Sequence, residues 1–191
     1  MTINRDKLIE MQINKAIEIG SNLAKLGLVE GTSGNLSFKI NDSIVITKTG
    51  ENLAKLTKNS FLVIKVDEES EEATRDLLIH KEIYKKTKYN AVLHCHGVYN
   101  VILSFLSDII EPMDLEGKIH LKKVKVIEGE FGSRTLAEKI AEEILKNKIV
   151  VVRGHGIYSA ENTLDKAFEL ACYLERSSKI IYLYHLLKLL N

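Results

Sequence analysis

Residues 91–97 read Ala-Val-Leu-His-Cys-His-Gly, an apolar run that ends in two histidines and a glycine. Alternate side chains of an extended strand share one face, so His94 and His96 are expected to point the same way and Cys95 the opposite way. Two imidazoles on one face of a strand end can bind a transition metal, zinc above all. The stretch therefore predicts a strand that supplies two metal ligands, and a complete site needs a third.

A third histidine follows another apolar strand. Residues 149–152 are Ile-Val-Val-Val, a run typical of a strand buried on both faces, and His155 comes just after it between Gly154 and Gly156. Three protein ligands with an open fourth position are typical of catalytic zinc. Three unrelated polar or core histidines are the alternative, which stays open because His96 and His155 lie far apart along the chain.

The composition is typical of a folded domain. Of 191 residues, 45% are hydrophobic and 28% charged, which fits one domain with a sizeable core over residues 1–191. A formal net charge of +1 argues against a nucleic-acid partner. No apolar run reaches the roughly 18 residues of a membrane span, and residues 1–6 lack the apolar core of a signal peptide. Two cysteines, Cys95 and Cys172, favour a reducing cytoplasm over a disulfide framework.

Hydrophobic spacing along the chain predicts alternating helices and strands. Helices are expected over residues 6–26, 74–84, 98–106, 136–145 and 162–190, with Thr74, Ser133 and Asn162 as caps. Besides the histidine strand, strands are expected over residues 36–40, 44–47, 61–66, 124–127, 149–152 and 157–159, the first two as a hairpin. Residues 109–123 give a weak signal and are expected to be irregular. The alternation predicts one α/β domain, and the hairpins predict a mixed sheet.

Two polar loops that contain glycine flank the predicted hairpin. Residues 31–35 read Gly-Thr-Ser-Gly-Asn, and residues 47–50 read Thr-Lys-Thr-Gly. Glycine lets the backbone approach a ligand closely, and hydroxyl and amide side chains can hydrogen-bond to that ligand. A phosphate-binding loop and a plain turn both fit residues 31–35, which match neither the Walker nor the dinucleotide-binding pattern.

An aspartate and a histidine share one face of the predicted helix over residues 74–84. Asp76 and His80 are four residues apart, and the helix directly precedes the histidine strand. A first-turn aspartate also suits the helix dipole, so Asp76 can be a structural residue as well as a catalytic one. His80 can likewise be structural or catalytic, and a single histidine on a helix is more often structural.

Six short motifs, taken in order, resemble the class II aldolase/adducin-head family. They are residues 31–35, residues 47–50, the acidic residue four before His80, residues 94–97, residues 131–133 and residues 154–156. Six motifs in this order are specific to the family, and they span most of the chain. They are less specific to one activity within it.

The resemblance implies a three-layer α/β/α fold around a central mixed sheet, usually assembled as a homotetramer with sites at subunit boundaries. It also implies that His94, His96 and His155 hold one Zn²⁺ per subunit. Asp76 stands where aldolases of the family carry a catalytic glutamate, and its side chain is shorter by about 1.5 Å. The positions that match the family's phosphate site are Asn35, Thr49, Gly50 and Thr74, and Arg75 replaces a serine near the phosphate.

The activity that the resemblance implies is a zinc-dependent aldolase acting on a small sugar phosphate. The expected reaction cleaves or forms a ketose 1-phosphate of the fuculose 1-phosphate type, with dihydroxyacetone phosphate and an aldehyde such as lactaldehyde as the products of cleavage. The family also contains ribulose-5-phosphate 4-epimerase, methylthioribulose-1-phosphate dehydratase and the non-catalytic adducin head, which remain alternatives. The family's proton-donating tyrosine has no clear counterpart, because Glu111, Asp114 and Glu116 occupy that stretch.

Overall fold

An eight-stranded β-sheet runs through the computed structural model, which describes residues 4–190. The strands are β1 (Asn35–Ile40), β2 (Ser43–Thr47), β3 (Phe61–Lys65), β4 (Ala91–Cys95), β5 (Ile109–Ile110), β6 (Val124–Ile127), β7 (Ile149–Val152) and β8 (Gly156–Glu161). Their order across the sheet is β3-β2-β1-β4-β8-β7-β6-β5. Strands β6 and β7 pair in parallel, and the other neighbours run antiparallel. The predicted mixed sheet is confirmed.

Helices cover both faces of this sheet. They are α1 (Arg5–Lys25), α2 (Leu77–Lys86), α3 (Val98–Leu106), α4 (Leu115–His120), α5 (Arg134–Asn147) and α6 (Leu164–Leu189). One apolar core joins α1, α3 and α6 to one face, and a second core joins α2 and α5 to the other. The predicted three-layer α/β/α fold is therefore confirmed. Across residues 4–190, no helix is both long and apolar enough to cross a membrane.

Strand β4 lies near the middle of the sheet and feeds both cores. Leu93 and Cys95 belong to the core beneath α1 and α6, whereas Val92 belongs to the core beneath α2 and α5. Since side chains alternate, His94 lies on the face of Val92. All five residues of the strand are buried. The expectation that Cys95 points away from His94 is confirmed.

Helix α2 begins at Leu77, later than residue 74, so the predicted start and its Thr74 cap were wrong. Ala73 pairs with Lys48 in an antiparallel bridge, and the Thr74 amide donates to the Thr47 carbonyl at 3.0 Å. These bonds to the end of β2 hold the segment out of the helix. Asp76 occupies the cap position, but its side chain makes no capping hydrogen bond. Its carboxylate is left for other partners.

Two further expectations were wrong. Residues 109–123 are not irregular, because they contain β5 and α4. Asp114 begins α4 by accepting a hydrogen bond from the Gly117 amide at 3.0 Å. Helix α6 is capped by Thr163, whose hydroxyl accepts from the Lys166 amide, and not by Asn162. The expected domain bounds include residues 1–3 and 191, which lie outside the described residues, so the single-domain assignment stays a prediction.

Helix α3 follows the histidine strand and is capped by a side chain from another helix. Gly97 stands at its N-cap position and offers no side-chain cap. Glu175 of α6 supplies one, because its carboxylate accepts from the amides of Tyr99 at 2.8 Å and Asn100 at 3.0 Å. A Cβ atom on Gly97 would lie 2.3 Å from Glu175 Oε2, so the close approach requires glycine.

We expect Glu175→Ala to lower the free energy of unfolding by about 1–3 kcal/mol, the scale of hydrogen bonds to a charged group. The amides at the start of α3 lose their acceptor. Glu169→Ala on the same helix is the matched control, since its pair with Lys166 at 2.7 Å is largely exposed and should contribute little. Urea unfolding of both variants measures the difference, and equal losses would contradict the cap.

Candidate active site

Three histidines meet where β4 ends and β8 begins. Nitrogen atoms of His94, His96 and His155 all lie within 4.8 Å of one another. The Nε2 atoms of His94 and His96 are 2.7 Å apart. Strand β8 pairs antiparallel with β4, so the turn that carries His155 lies beside the end of the histidine strand. The expectation that His94 and His96 point the same way is confirmed, and His155 joins them.

The hydrogen bonding of His94 fixes which of its nitrogens can bind a metal. His94 Nδ1 lies 2.8 Å from the Ile157 carbonyl, which only accepts, so Nδ1 carries the proton. The Nε2 atom, which faces His96, therefore has a free lone pair. A metal-binding histidine commonly donates its other N–H to such a carbonyl. The residues present thus fit a metal ion.

The environment keeps the three imidazoles neutral. Burial lowers the pKa of His94 to about 3 and that of His96 to about 4. Burial also lowers the pKa of His155. Metal binding requires unprotonated imidazole. At neutral pH the site therefore offers lone pairs without first losing protons.

A buried carboxylate lies next to the histidines. Asp76 Oδ2 is 3.8 Å from His94 Nε2, and it accepts hydrogen bonds from Asn35 Nδ2 at 2.8 Å and from the Tyr158 hydroxyl at 2.9 Å. Oδ1 is buried and has no hydrogen-bond partner among residues 4–190. Burial raises the pKa of Asp76, but His94 and the hydrogen bonds from Asn35 and Tyr158 outweigh it, so the pKa lies below its ordinary value. An ionised carboxylate with one unpaired oxygen can accept a proton.

A cavity of about 280 Å³ opens onto this group and onto both polar loops. It is lined by all nine residues that the resemblance assigned to metal binding, proton transfer or the phosphate site: Asn35, Thr49, Gly50, Thr74, Arg75, Asp76, His94, His96 and His155. Lys48 and Phe131 also line it. Gly50 has φ +75°, and apart from its chain neighbours no heavy atom of the described residues lies within 4 Å of where its Cβ would be, so the backbone there is open to a ligand.

Gly34 lets the first loop approach β4. Its φ is +77°, and a Cβ atom would lie 2.8 Å from the His94 carbonyl oxygen. Any side chain would therefore be strained and would push the loop away from the histidines. This contact places residues 32–35 along the cavity wall.

Sequence reasoning missed Tyr158. The residue pairs with His94 across β4 and β8, and the two rings stack with centroids 4.0 Å apart. Its position three residues after His155 was visible in the sequence, but the pairing of the two strands was not. Glu111 and Asp114 lie elsewhere, the first with Lys123 at 3.1 Å and the second as the cap of α4. Glu116 belongs to the first turn of α4.

Two fully buried histidines make stability depend on pH. Burial lowers the pKa of His80 to about 4 and of His94 to about 3, against about 6.5 in the unfolded chain. Between these values the unfolded chain binds protons that the folded protein does not, so acidification favours unfolding. We expect these two residues alone to lower the unfolding free energy of the metal-free protein by about 2 kcal/mol from pH 6 to pH 5, and the lowered pKa values of His96 and His155 add to that fall. Urea unfolding at the two pH values measures the slope, and equal stability at pH 6 and pH 5 would contradict it.

Comparisons with known proteins show what the chain resembles. Residues 14–182 match the family described as Class II Aldolase and Adducin N-terminal domain. The chain is 30% identical over 182 residues to the L-fuculose phosphate aldolase of Methanocaldococcus jannaschii, covering 93% of this chain and 99% of that protein. It is 31% identical over 190 residues to the methylthioribulose-1-phosphate dehydratase of Bacillus subtilis, covering 88% and 89%.

The fold of the chain is similar to that of a solved structure. The L-fuculose-1-phosphate aldolase of Thermus thermophilus superposes with a TM-score of 0.89 at 29% identity. The match covers 93% of this chain and 95% of that one. The arrangement of sheet and helices is therefore shared over nearly the full length of both chains.

Proposed function

Because the chain belongs to the class II aldolase and adducin N-terminal domain family, we propose that it is a zinc-dependent aldolase. Its proposed reaction cleaves or forms a ketose 1-phosphate of the fuculose 1-phosphate type, with dihydroxyacetone phosphate and an aldehyde such as lactaldehyde on the other side. One observation carries the proposal. Three neutral imidazoles converge beside a buried carboxylate whose Oδ1 accepts no hydrogen bond within the described part of the chain.

The proposed metal ligands are His94, His96 and His155, with one zinc ion per subunit. Three imidazoles with an open position are typical of catalytic zinc. When bound, zinc acts as a Lewis acid that polarises the substrate carbonyl and stabilises the negative charge that develops beside it. The chain's own part is to present unprotonated nitrogens in a fixed arrangement. The hydrogen bond from His94 Nδ1 to the Ile157 carbonyl supports this role, because it fixes the orientation of the His94 ring.

Asp76 is proposed to move the proton at the reacting carbon. Cleavage breaks the bond between C3 and C4 of the ketose. As C4 becomes the aldehyde carbon, its hydroxyl proton passes to the ionised Asp76 carboxylate, which then gives that proton to the electron pair left at C3. In the direction of synthesis, the Asp76 carboxylate removes that proton. The unpaired Oδ1 supports this role, because Oδ2 is already held by Asn35 and Tyr158.

The polar loops are proposed to hold the phosphate. The open backbone at Gly50 and the hydroxyls of Thr49 and Thr74 line the cavity next to the exposed Arg75. Arginine presents a fork of N–H groups that matches phosphate oxygens. Anchoring the phosphate there fixes the distance of the reacting carbons from the histidines. Asn35 lines the same cavity, and one N–H of its amide remains beyond its bond to Asp76.

Assembly and location belong to the same proposal. We propose a homotetramer in the cytoplasm. Exposed apolar side chains on and beside α3 and α4 support an oligomer, among them Phe105 at 63% and Leu106 at 76% exposure. The free thiols of Cys95 and Cys172 support a reducing compartment.

The dehydratase is the second candidate, favoured by the 31% identity to the Bacillus subtilis enzyme. Eliminating water from a hydroxy ketone also begins with removal of a proton beside the carbonyl. The same carboxylate and metal ligands would therefore serve both reactions. The chain is about equally identical to the aldolase and to the dehydratase, so sequence identity does not decide between the two activities.

Product analysis with three substrates tests the proposal. Zinc-loaded protein is incubated with fuculose 1-phosphate, ribulose 5-phosphate and methylthioribulose 1-phosphate, each with a chelator-treated control. We expect dihydroxyacetone phosphate and lactaldehyde from the first. Xylulose 5-phosphate from the second without dihydroxyacetone phosphate from the first would replace the aldolase by the epimerase. A dehydration product from the third alone would favour the dehydratase.

A further inference from the structure

A chain of buried hydrogen bonds runs from helix α2 to Asp76. The Tyr84 hydroxyl lies 2.7 Å from Ser37 Oγ, and Ser37 Oγ lies 2.7 Å from His80 Nδ1. His80 Nε2 lies 2.6 Å from Asn35 Oδ1, and Asn35 Nδ2 lies 2.8 Å from Asp76 Oδ2. All five side chains are buried. Tyr84, Ser37 and His80 have no part in the reaction as proposed above.

The carboxylate sets the direction of every bond in this chain. Ionised Asp76 can only accept, so the nitrogen of the Asn35 amide faces it and the amide oxygen faces His80. His80 Nε2 must then carry a proton. The buried ring is neutral, so its Nδ1 has none and accepts from the Ser37 hydroxyl. The Ser37 oxygen accepts in turn from Tyr84. Each group thus donates toward Asp76.

We propose that His80 is a positioning residue for the reaction proposed above. Its Nε2–H fixes the orientation of the Asn35 amide, and that amide holds Asp76 Oδ2 so that Oδ1 is left for the substrate proton. The inference rests on the proposed function, since it concerns the carboxylate that the function uses. His80 itself is not among the residues that line the cavity, and it is not one of the three histidines proposed to hold the metal.

A flipped Asn35 amide shows why the orientation needs an anchor. Rotation by 180° would set the amide oxygen against the Asp76 carboxylate and its N–H groups against His80. Without a donor at His80, only the bond to Asp76 would oppose that rotation. Asn35 lies in β1 and Asp76 just before α2, so their alignment depends on side chains and not on a shared backbone element. A misplacement of about 1 Å in a reacting group can cost roughly 10²-fold in rate.

The tautomer of His80 is the first test, and it requires no turnover. Nitrogen NMR of zinc-loaded wild-type protein at neutral pH should show His80 protonated at Nε2 and unprotonated at Nδ1. The side-chain amide of Asn35 should show one proton protected from solvent exchange. A His80 ring protonated at Nδ1 alone would overturn the inference, because Nε2 could not then donate to Asn35. This result is independent of whether the protein is an aldolase.

Three variants separate positioning from general stability. His80→Leu removes both ring nitrogens, whereas His80→Gln offers one amide that can donate to Asn35 and accept from Ser37. Ile83→Val is the matched control, because Ile83 is fully buried on the same helix and belongs to the apolar core. We expect kcat to fall by about 10- to 100-fold in His80→Leu with KM within about threefold, the scale seen when a partner of a reacting group is lost.

The other two variants decide the interpretation. His80→Gln should recover most of the kcat lost in His80→Leu and keep the protected Asn35 proton, and Ile83→Val should match wild type in both. Wild-type kcat in folded His80→Leu, or loss of the protected proton in Ile83→Val as well, would overturn the inference. If His80→Leu does not fold, the wild-type tautomer and the His80→Gln variant still decide it. Should wild type act on none of the sugar phosphates, the proposed function fails while the NMR result stands separately.

Discussion

The His155→Ala variant should lose its zinc and at least roughly 10³-fold of its turnover. The reason is that a Lewis acid contributes several kcal/mol to stabilising the developing charge, and each 1.4 kcal/mol is tenfold in rate. With His155 gone, only His94 and His96 remain of the converging group. Two neutral imidazoles offer half of a tetrahedral shell and cannot keep the ion against dilution.

The comparison for this variant is His185→Ala. His185 is exposed near the end of α6 and lies outside the converging group. Elemental analysis after gel filtration should find about one zinc per chain in wild type and in His185→Ala. Stoichiometric zinc in His155→Ala would remove His155 from the site and with it the argument for an open catalytic metal.

Asp76→Asn should keep the fold and the metal but lose about 10²- to 10⁴-fold in turnover, the usual range for general acid–base help. The asparagine oxygen can still accept from Asn35 and Tyr158, which now hold Oδ2. Its NH₂ group takes the place of the unpaired Oδ1 and cannot accept a proton. The Asp76 side chain makes no capping bond, so the start of α2 is not affected.

Asp114→Asn makes the same chemical change at a true helix cap. Asp114 accepts from the Gly117 amide outside the cavity, and asparagine caps a helix about as well as aspartate. Zinc content, melting temperature and kcat of the two variants are measured together. Full turnover in metal-loaded Asp76→Asn would exclude Asp76 as the base. A large loss in Asp114→Asn alone would transfer the role to Asp114.

The three converging histidines show what strand periodicity can predict. Alternation placed His94 and His96 on one face and Cys95 on the other, as the structure has them. The apolar run over residues 149–152 placed His155, between its two glycines, at the end of a strand. Local patterns do not reveal which strands pair, so the meeting of His155 with the other two depended on the antiparallel contact of β4 and β8.

The surroundings of Asp76 show where local patterns fail. The residue looked like part of the first helical turn, but a bridge from Ala73 to Lys48 delays the helix. The spacing of Asp76, His80 and Tyr84 by four was visible in the sequence. Their partners Asn35 and Ser37 alternate along β1, and no pattern within either element predicts that the two would meet.

The prediction that residues 109–123 are irregular was wrong for a different reason. Strand β5 has two residues and α4 has six, too few to show a hydrophobic period. Asp114 was noted only as an acidic residue, although an aspartate three residues before Gly117 is a plausible cap. Short elements of this kind depend on their packing against larger ones, here α4 against α6.

The most direct test of the central claim is hydrogen exchange with dihydroxyacetone phosphate alone. Aldol synthesis begins when the carboxylate removes one proton from the hydroxymethyl carbon of this substrate, so no aldehyde is needed. In D₂O, zinc-loaded wild-type protein should replace a single hydrogen at that carbon by deuterium, seen by proton NMR, and metal-loaded Asp76→Asn should not. Exchange by wild type no faster than by the chelator-treated protein, or equal exchange by Asp76→Asn, would contradict the account.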